Sequence, residues 1–279
     1  MPLGGQAVIE GVLISDGERA VLAVRGRDGA VVIEPLPVPK FPKLERIPFV
    51  RGPIKLYQLL SLGLRALARS AEIAYPEEKS SGWDYVLAIV LALIILIGGF
   101  IALPFFLATK IGLESSILLN LAEGAIRVSF FILYLWGISF LPEARRLFQY
   151  HGAEHKAVHA HEAGTPDLSL ALRQSPIHAR CGTNFVFLFI AVAVFLFSLI
   201  PTSSFWLRLL VRIGLIPVVA AITYEILLLG AKSRALQPFL WPGLLFQKLT
   251  TREPSPDQVE VALAAVRWVA NSRKASITE

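Results

Sequence analysis

The chain has 279 residues, 54% of them hydrophobic and only 17% charged, with a mean hydropathy of +0.60. That balance is foreign to most soluble enzymes and ordinary for an integral membrane protein. The formal charge of +6 does not point to nucleic acid, because Lys and Arg are scattered and gather outside the apolar runs, and a single Cys excludes an internal disulfide.

The opening residues, Met1–Gly11, lack a basic start followed by an apolar core, which predicts no cleavable signal and insertion through internal spans. Residues 5–38 read as β: Gln6–Ile14, Arg19–Arg25 and Ala30–Leu36 are Val/Ile-rich runs separated by Asp16-Gly17 and Asp28-Gly29. A Pro-rich connector, Pro35–Pro48, follows, so residues 1–48 form a small β module. In 51–74, Leu56, Leu59, Leu60, Leu67 and Ala71 recur at helical spacing, with Lys55, Gln58, Arg65 and Arg69 mainly opposite. A basic amphipathic helix of this kind, in the 49–83 region, lies in a membrane interface or packs on the β module.

Four spans of about 20 residues are predicted: Tyr85–Ala108, Ile117–Leu141, Asn184–Ile200 and Trp206–Leu229. They divide the chain into spans one and two at 84–141, a polar segment at 142–183, and spans three and four at 184–231. Pro201–Phe205 is short enough to make the last two an antiparallel hairpin. Glu123 and Arg127, at i,i+4, neutralise each other within the bundle, while Arg208 and Arg212 snorkel from a span end. The tail, 232–279, holds an aromatic stretch at Pro238–Phe246 and a helix announced by Ser255-Pro256-Asp257-Gln258.

Basic residues cluster before the first span, in 142–183 and in the tail, whereas the opposite loops hold only Lys110. The positive-inside rule then places both termini and the 142–183 segment in the cytoplasm of a multi-pass protein of the cytoplasmic membrane.

Every histidine and the single cysteine fall between His151 and Cys181. If 145–163 is a helix, His151, His155, His159 and Glu162 share an arc of ~80°, with Glu154 and His161 to one side. Imidazoles at i,i+4 can share one ion, whereas three at i,i+4,i+8 span ~12 Å, so either His151/His155 or His155/His159 forms a pair. His151-x-x-Glu154-His155 has the H-x-x-E-H order of inverted zinc peptidases, in which the Glu acts as general base. His178, Cys181 and Glu225 are the candidates for further ligands from a second arm. The plainer alternatives are a polar surface helix with hydrogen-bonded imidazoles, and a Cys181 that only packs or acts as a thiolate nucleophile beside a His base.

Four stretches carry a resemblance: Gly4-Gly5-Gln6-Ala7-Val8-Ile9-Glu10-Gly11-Val12, Tyr150–Lys156, His178–Thr183 and Leu249-Thr250-Thr251-Arg252-Glu253-Pro254. In that order, over nearly the whole chain, they resemble the YqhQ-like bacterial membrane proteins, a domain of unknown function sometimes labelled a predicted metal-dependent enzyme. Ala179 stands where that pattern has Pro, which bears on the local turn. The resemblance also draws attention to Glu10, either as a carboxylate reaching the site or as a structural residue.

The expectation is an α-helical integral membrane protein with four transmembrane helices, a small N-terminal cytoplasmic β module and amphipathic interfacial helices. Its expected function is that of a metal-dependent membrane hydrolase with a divalent ion, zinc by donor type, held by His151, His155 and one of His178, Cys181 or Glu225, and with Glu154 as base. A non-enzymatic metal sensor or assembly protein, with protein partners on the β module and the lipid bilayer around its spans, is the alternative. Ion transport ranks last, since Glu123, Arg127 and Glu225 give few polar groups along the spans.

Overall fold

The computed structural model describes residues 3–77, 81–113, 115–178, 181–200, 205–232 and 241–275. The expected turns at 201–204 and at Ala179, the Arg208 side chain and the first part of 238–246 lie outside that description.

The N-terminal segment forms four antiparallel strands in sequential order, β1 (Gly4–Val8), β2 (Gly11–Ser15), β3 (Ala20–Arg25) and β4 (Val31–Leu36). Three runs were expected. The Gln6–Ile14 run is two strands, because the chain reverses at Ile9-Glu10 with Glu10 at φ 52°. Tight hairpin turns favour Gly or Asn at positive φ, so a Glu there gives no turn signal. The reversal is held instead by tertiary contacts: Ile9 N–H donates to Ser70 Oγ, and Arg25 N–H donates to the Glu10 carbonyl. Pro35, expected in a connector, sits in β4, where an edge strand tolerates a missing donor.

The central strands β2 and β3 are apolar up to their last residues, Ser15 and Arg25, because both faces of the sheet are covered. Val12, Ile14, Val21 and Ala23 pack against α5 (Pro142–Glu162) and α10 (Pro256–Ala275), through Tyr150, Ala153, Ala157, Val259 and Leu263. Leu13, Leu22 and Val24 pack against α1 (Arg51–Ala74), through Leu62, Ala66 and Ala74. The two chain ends therefore build one three-layer unit. Helix α1 turns the row Leu62, Ala66, Ser70 and Ala74 inward and leaves Tyr57, Leu60 and Leu64 exposed, so packing on the sheet coexists with an open apolar side. At α10, the Gln258 side chain accepts the Ser255 N–H, as the capping pattern anticipates.

Between these layers the chain forms α2 (Gly82–Ile94), a π-helical stretch over Ile95–Ala102, α3 (Leu103–Lys110), α4 (Ser116–Ile138), α7 (Gly182–Ser198), α8 (Phe205–Lys232) and α9 (Trp241–Thr250). A short α6 (Leu168–Arg173) follows α5. Among the described residues, three helical stretches are long and apolar enough to cross a membrane: Gly82–Lys110, Ile117–Ile138 and Leu209–Gly230. Gly182–Ser198 is apolar and shorter.

The bundle contains a buried charge group larger than the expected i,i+4 pair. Glu123 accepts from Arg127 at 2.5 Å and from both terminal nitrogens of Arg212 on α8 at 2.5 and 2.6 Å. Arg212 is buried rather than snorkelling, since Glu123 offers it a bidentate partner inside the bundle. Arg127 Nε also donates to the Phe100 carbonyl at 2.7 Å. Pro104, four residues on, has no N–H to give that carbonyl, and the helix widens there, so a side chain from α4 reaches it.

Glu123→Gln removes the carboxylate that, among the described residues, stands between these two guanidiniums. A loss of about 3–5 kcal/mol is expected for breaking such a buried group. Thermal unfolding of the detergent-solubilised chain checks it, and an unchanged melting temperature would contradict the role assigned to Glu123.

Candidate metal centre

Helix α5 begins at Pro142, which suits a first turn, and runs without a break through the histidines. Its Tyr150, Ala153 and Ala157 face the sheet. Two further segments close over it. The 250–253 segment comes so near that a Cβ on Gly152 would stand 2.2 Å from the Arg252 carbonyl, and Arg252 N–H donates to the Phe148 carbonyl at 2.9 Å. The 175–178 segment is joined to α9 by Gln247, a fully buried side chain that accepts the His178 N–H and donates to the His178 carbonyl, both at 2.9 Å.

Those two segments offer backbone carbonyls to the imidazoles. His151 Nδ1 donates to Thr250 O at 2.8 Å, His155 Nδ1 to Pro176 O at 2.6 Å, and His159 Nε2 to Ile177 O at 3.0 Å. A carbonyl can only accept, so each contact fixes a tautomer and leaves the other ring nitrogen with a lone pair. This is how ligating histidines are oriented in metal sites.

Among the described residues, possible ligand atoms converge in two places. One ligand atom from each of His151, His155 and Cys181 lies within 4.8 Å of the others, and so does one from each of His159, Glu162 and His178. In the first set, His151 Nε2 is 3.2 Å from Cys181 Sγ, and the His151 and His155 rings are 4.5 Å apart. His155 Nε2 is buried and makes no hydrogen bond among the described residues. Glu154 Oε2 stands 3.4 Å from it, without hydrogen-bond geometry. A buried imidazole nitrogen with a free lone pair beside a second imidazole and a thiol is a donor set suited to zinc or a similar ion.

Electrostatics favour the neutral imidazoles that a cation requires. Burial, with neighbouring His151 next, brings His155 down to about 3, and burial followed by His159 brings His178 down to about 4. Burial pushes the Cys181 thiol up, so without an ion it stays protonated and can donate to His151 Nε2 or Thr183 Oγ1. Burial also raises the Glu154 carboxyl to about 8, with His151 opposing the shift.

Several sequence expectations find definite positions. His151 and His155 pair one turn apart and meet Cys181. His159 joins His178 and Glu162 instead of His155, because the second arm crosses α5 at that turn. Glu225 belongs to neither group: its carboxylate takes Arg51 Nε at 2.8 Å and Arg51 Nη2 at 2.5 Å, together with the Phe49 N–H. Glu10 is structural, held by Arg146 and by the Tyr150 hydroxyl at 3.2 Å, and it ties the β1–β2 turn to α5. Glu154 lies under Gly5 of β1, where a Cβ would come within 2.7 Å of its Cγ and Oε1. Gln247 and the carbonyls of Thr250, Pro176 and Ile177 were missed. Gln247 carries no motif, and a carbonyl acceptor leaves no trace in residue type.

A cavity of about 380 Å³ opens beside the first donor set. Its lining includes Glu154, His155, His178 and Cys181 together with Leu13, Leu59 and Leu62.

Fold and site together define a largely helical protein whose N-terminal sheet and C-terminal helix clamp a histidine-rich candidate metal centre. The model of a family described as a protein of unknown function, DUF1385, matches residues 47–272, and the chain belongs to that family. It is 37% identical over 286 residues to the "Uncharacterized protein YqhQ" of Bacillus subtilis (strain 168), covering 93% of this chain and 89% of that one. No solved structure matches.

With its pKa raised to about 8, Glu154 favours folding in its protonated form. Its contribution is complete below the unfolded value near 4.5 and is lost as pH rises through about 8. In chelator-treated protein, Glu154→Gln cannot ionise. Its melting temperature should therefore gain on that of the native chain as pH is raised from about 6 to about 9. A difference that stays constant across that range would contradict the buried, proton-holding Glu154.

Proposed function

We propose that the chain is a four-span membrane protein acting as a metal-dependent hydrolase at the cytoplasmic membrane surface. The carrying observation is a three-donor set, His151, His155 and Cys181, beside a cavity and a buried carboxylate. Structural zinc sites close with four protein ligands, whereas catalytic ones keep three and leave a position open. Three donors bordering a cavity fit the second pattern.

A divalent ion there, zinc by donor preference, supplies Lewis acidity when bound. The chain's own residues would do the rest. The Thr250 and Pro176 carbonyls hold the two imidazoles with Nε2 turned to the site. Glu154, buried beside the donor set and lining the cavity, would take a proton from an attacking water and return it to the leaving group. Leu13, Leu59 and Leu62 exclude water from one side of the cavity and accept an apolar part of the substrate.

Membrane placement rests on the three long apolar stretches and on α7, which at 17 residues is near the lower limit for a span. The exposed Tyr57, Leu60 and Leu64 of α1 suit an interfacial position. Helix α1 also sits beside α8: a Cβ on Gly52 would stand 2.7 Å from Ala221 Cα, and Arg51 pairs with Glu225. The basic-residue asymmetry supports an orientation with both termini and the site on the cytoplasmic side. A second reading, a metal-responsive assembly protein, draws on the β4 edge, where Val32 and Ile33 are exposed and a partner strand could pair.

Three experiments test these readings. A reporter enzyme active only outside the cytoplasm, fused after Glu279, should stay silent; activity would overturn the orientation. Metal analysis of the purified full chain should find divalent metal whose content His155→Ala lowers and His161→Ala leaves unchanged. Glu154→Gln should retain the ion yet fail to complement a deletion strain. Full complementation by Glu154→Gln would displace the hydrolase reading in favour of assembly or sensing, and a total metal content unchanged by His155→Ala would sink the site itself.

A further inference from the structure

The second donor set lies outside the chemistry proposed above. His159 stands one turn beyond His155 on α5, and Glu162 follows in the last turn, while His178 comes from the opposing segment. The His159 and His178 rings are 4.4 Å apart, and His178 Nε2 lies 3.4 Å from Glu162 Oε2. Its surroundings are built. The Ile177 carbonyl fixes the His159 tautomer, and the fully buried Gln247 clamps the His178 backbone through both its N–H and its carbonyl. A hydrogen bond between His178 and Glu162 alone would account for one contact. It does not account for a second imidazole brought against the first, with its own tautomer fixed.

We infer that His159, Glu162 and His178 bind a second divalent cation, separate from the one assigned to His151, His155 and Cys181. The donors are two nitrogens and one oxygen, suited to zinc or cobalt, with remaining positions left to water because the Glu162 side chain is 35% exposed. The two sets have no residue in common. Ions about 3.5–4 Å apart act together in two-metal hydrolytic sites, and such a pair needs a bridging donor. Here the two sets share no donor, although the His155 and His178 rings are 5.8 Å apart. The second ion is therefore a positioning ion. It ties the segment carrying Pro176, Ile177 and His178 to the end of α5, and that segment supplies the carbonyl that orients His155.

Cobalt distinguishes the two sites, because only the first contains a thiol. The chelator-treated full-length chain in detergent, titrated with Co²⁺, should take up two ions per chain, one with a thiolate-to-cobalt charge-transfer band and one without. Glu162→Gln, an isosteric change at a partly exposed position, should weaken the band-free ion about tenfold or more and keep the band. His159→Ala should do the same, and Cys181→Ser should abolish the band while the band-free ion remains. Hydrogen exchange in residues 174–178 should quicken when the band-free ion is lost. A single ion showing the band overturns this inference and leaves the proposed hydrolase site standing. A single band-free ion lost in Glu162→Gln upholds this inference and overturns that site. Two ions retained by both Glu162→Gln and His159→Ala, or no ion bound at all, also overturn it.

Discussion

Half of α5 is buried although its sequence is polar, and that burial is the constraint on which the other parts depend. Tyr150, Ala153 and Ala157 lie against the sheet, and small residues let backbone come close on two sides, at Gly152 under Arg252 and at Gly5 over Glu154. Polar groups taken out of water in this way require partners. The imidazoles find them in the carbonyls of Pro176 and Ile177 and of Thr250 at the end of α9, and Lys156 finds the Leu172 carbonyl at 2.9 Å and Glu253 at 2.7 Å. Removing water from α5 thus orders the two segments that complete the site.

This arrangement explains why the four stretches that carry the family resemblance are far apart in the chain. Gly5 and Glu10 from the first, His151, Glu154 and His155 from the second, His178 and Cys181 from the third, and Thr250, Arg252 and Glu253 from the fourth all meet around α5. The sheet is the platform for that meeting, since it binds α5 and α10 on one face and α1 on the other. The apolar helices contribute position more than chemistry: Cys181 caps the start of α7, and α9 delivers Gln247 and Thr250.

Within the bundle a different solution appears for the same problem. Glu123 and its two arginines form a closed charge group linked to a widened helix through the Phe100 carbonyl. It is distinct from the histidine centre and has the character of a structural clamp among α3, α4 and α8, with the Phe105 and Phe197 rings over Arg212.

What the sequence determined by itself was whatever depends on local pattern. Apolar runs near bilayer length, the unbroken helix of α5, the β character of the first residues and the clustering of His and Cys can each be read from spacing or composition. The i,i+4 geometry was enough to pair His151 with His155. It was not enough to assign His159, which lies equally well one turn from His155, and only the crossing of the 175–178 segment gives it to His178 and Glu162. Glu225, Arg212 and Glu10 are the same kind of case. Each is a charged residue whose partner, Arg51, Glu123 or Arg146, stands tens of positions away or more, so no local signal names it. The tautomers are the clearest limit. They are set by backbone carbonyls, which every residue carries, and only the tertiary packing of α5 selects the three that accept an imidazole N–H.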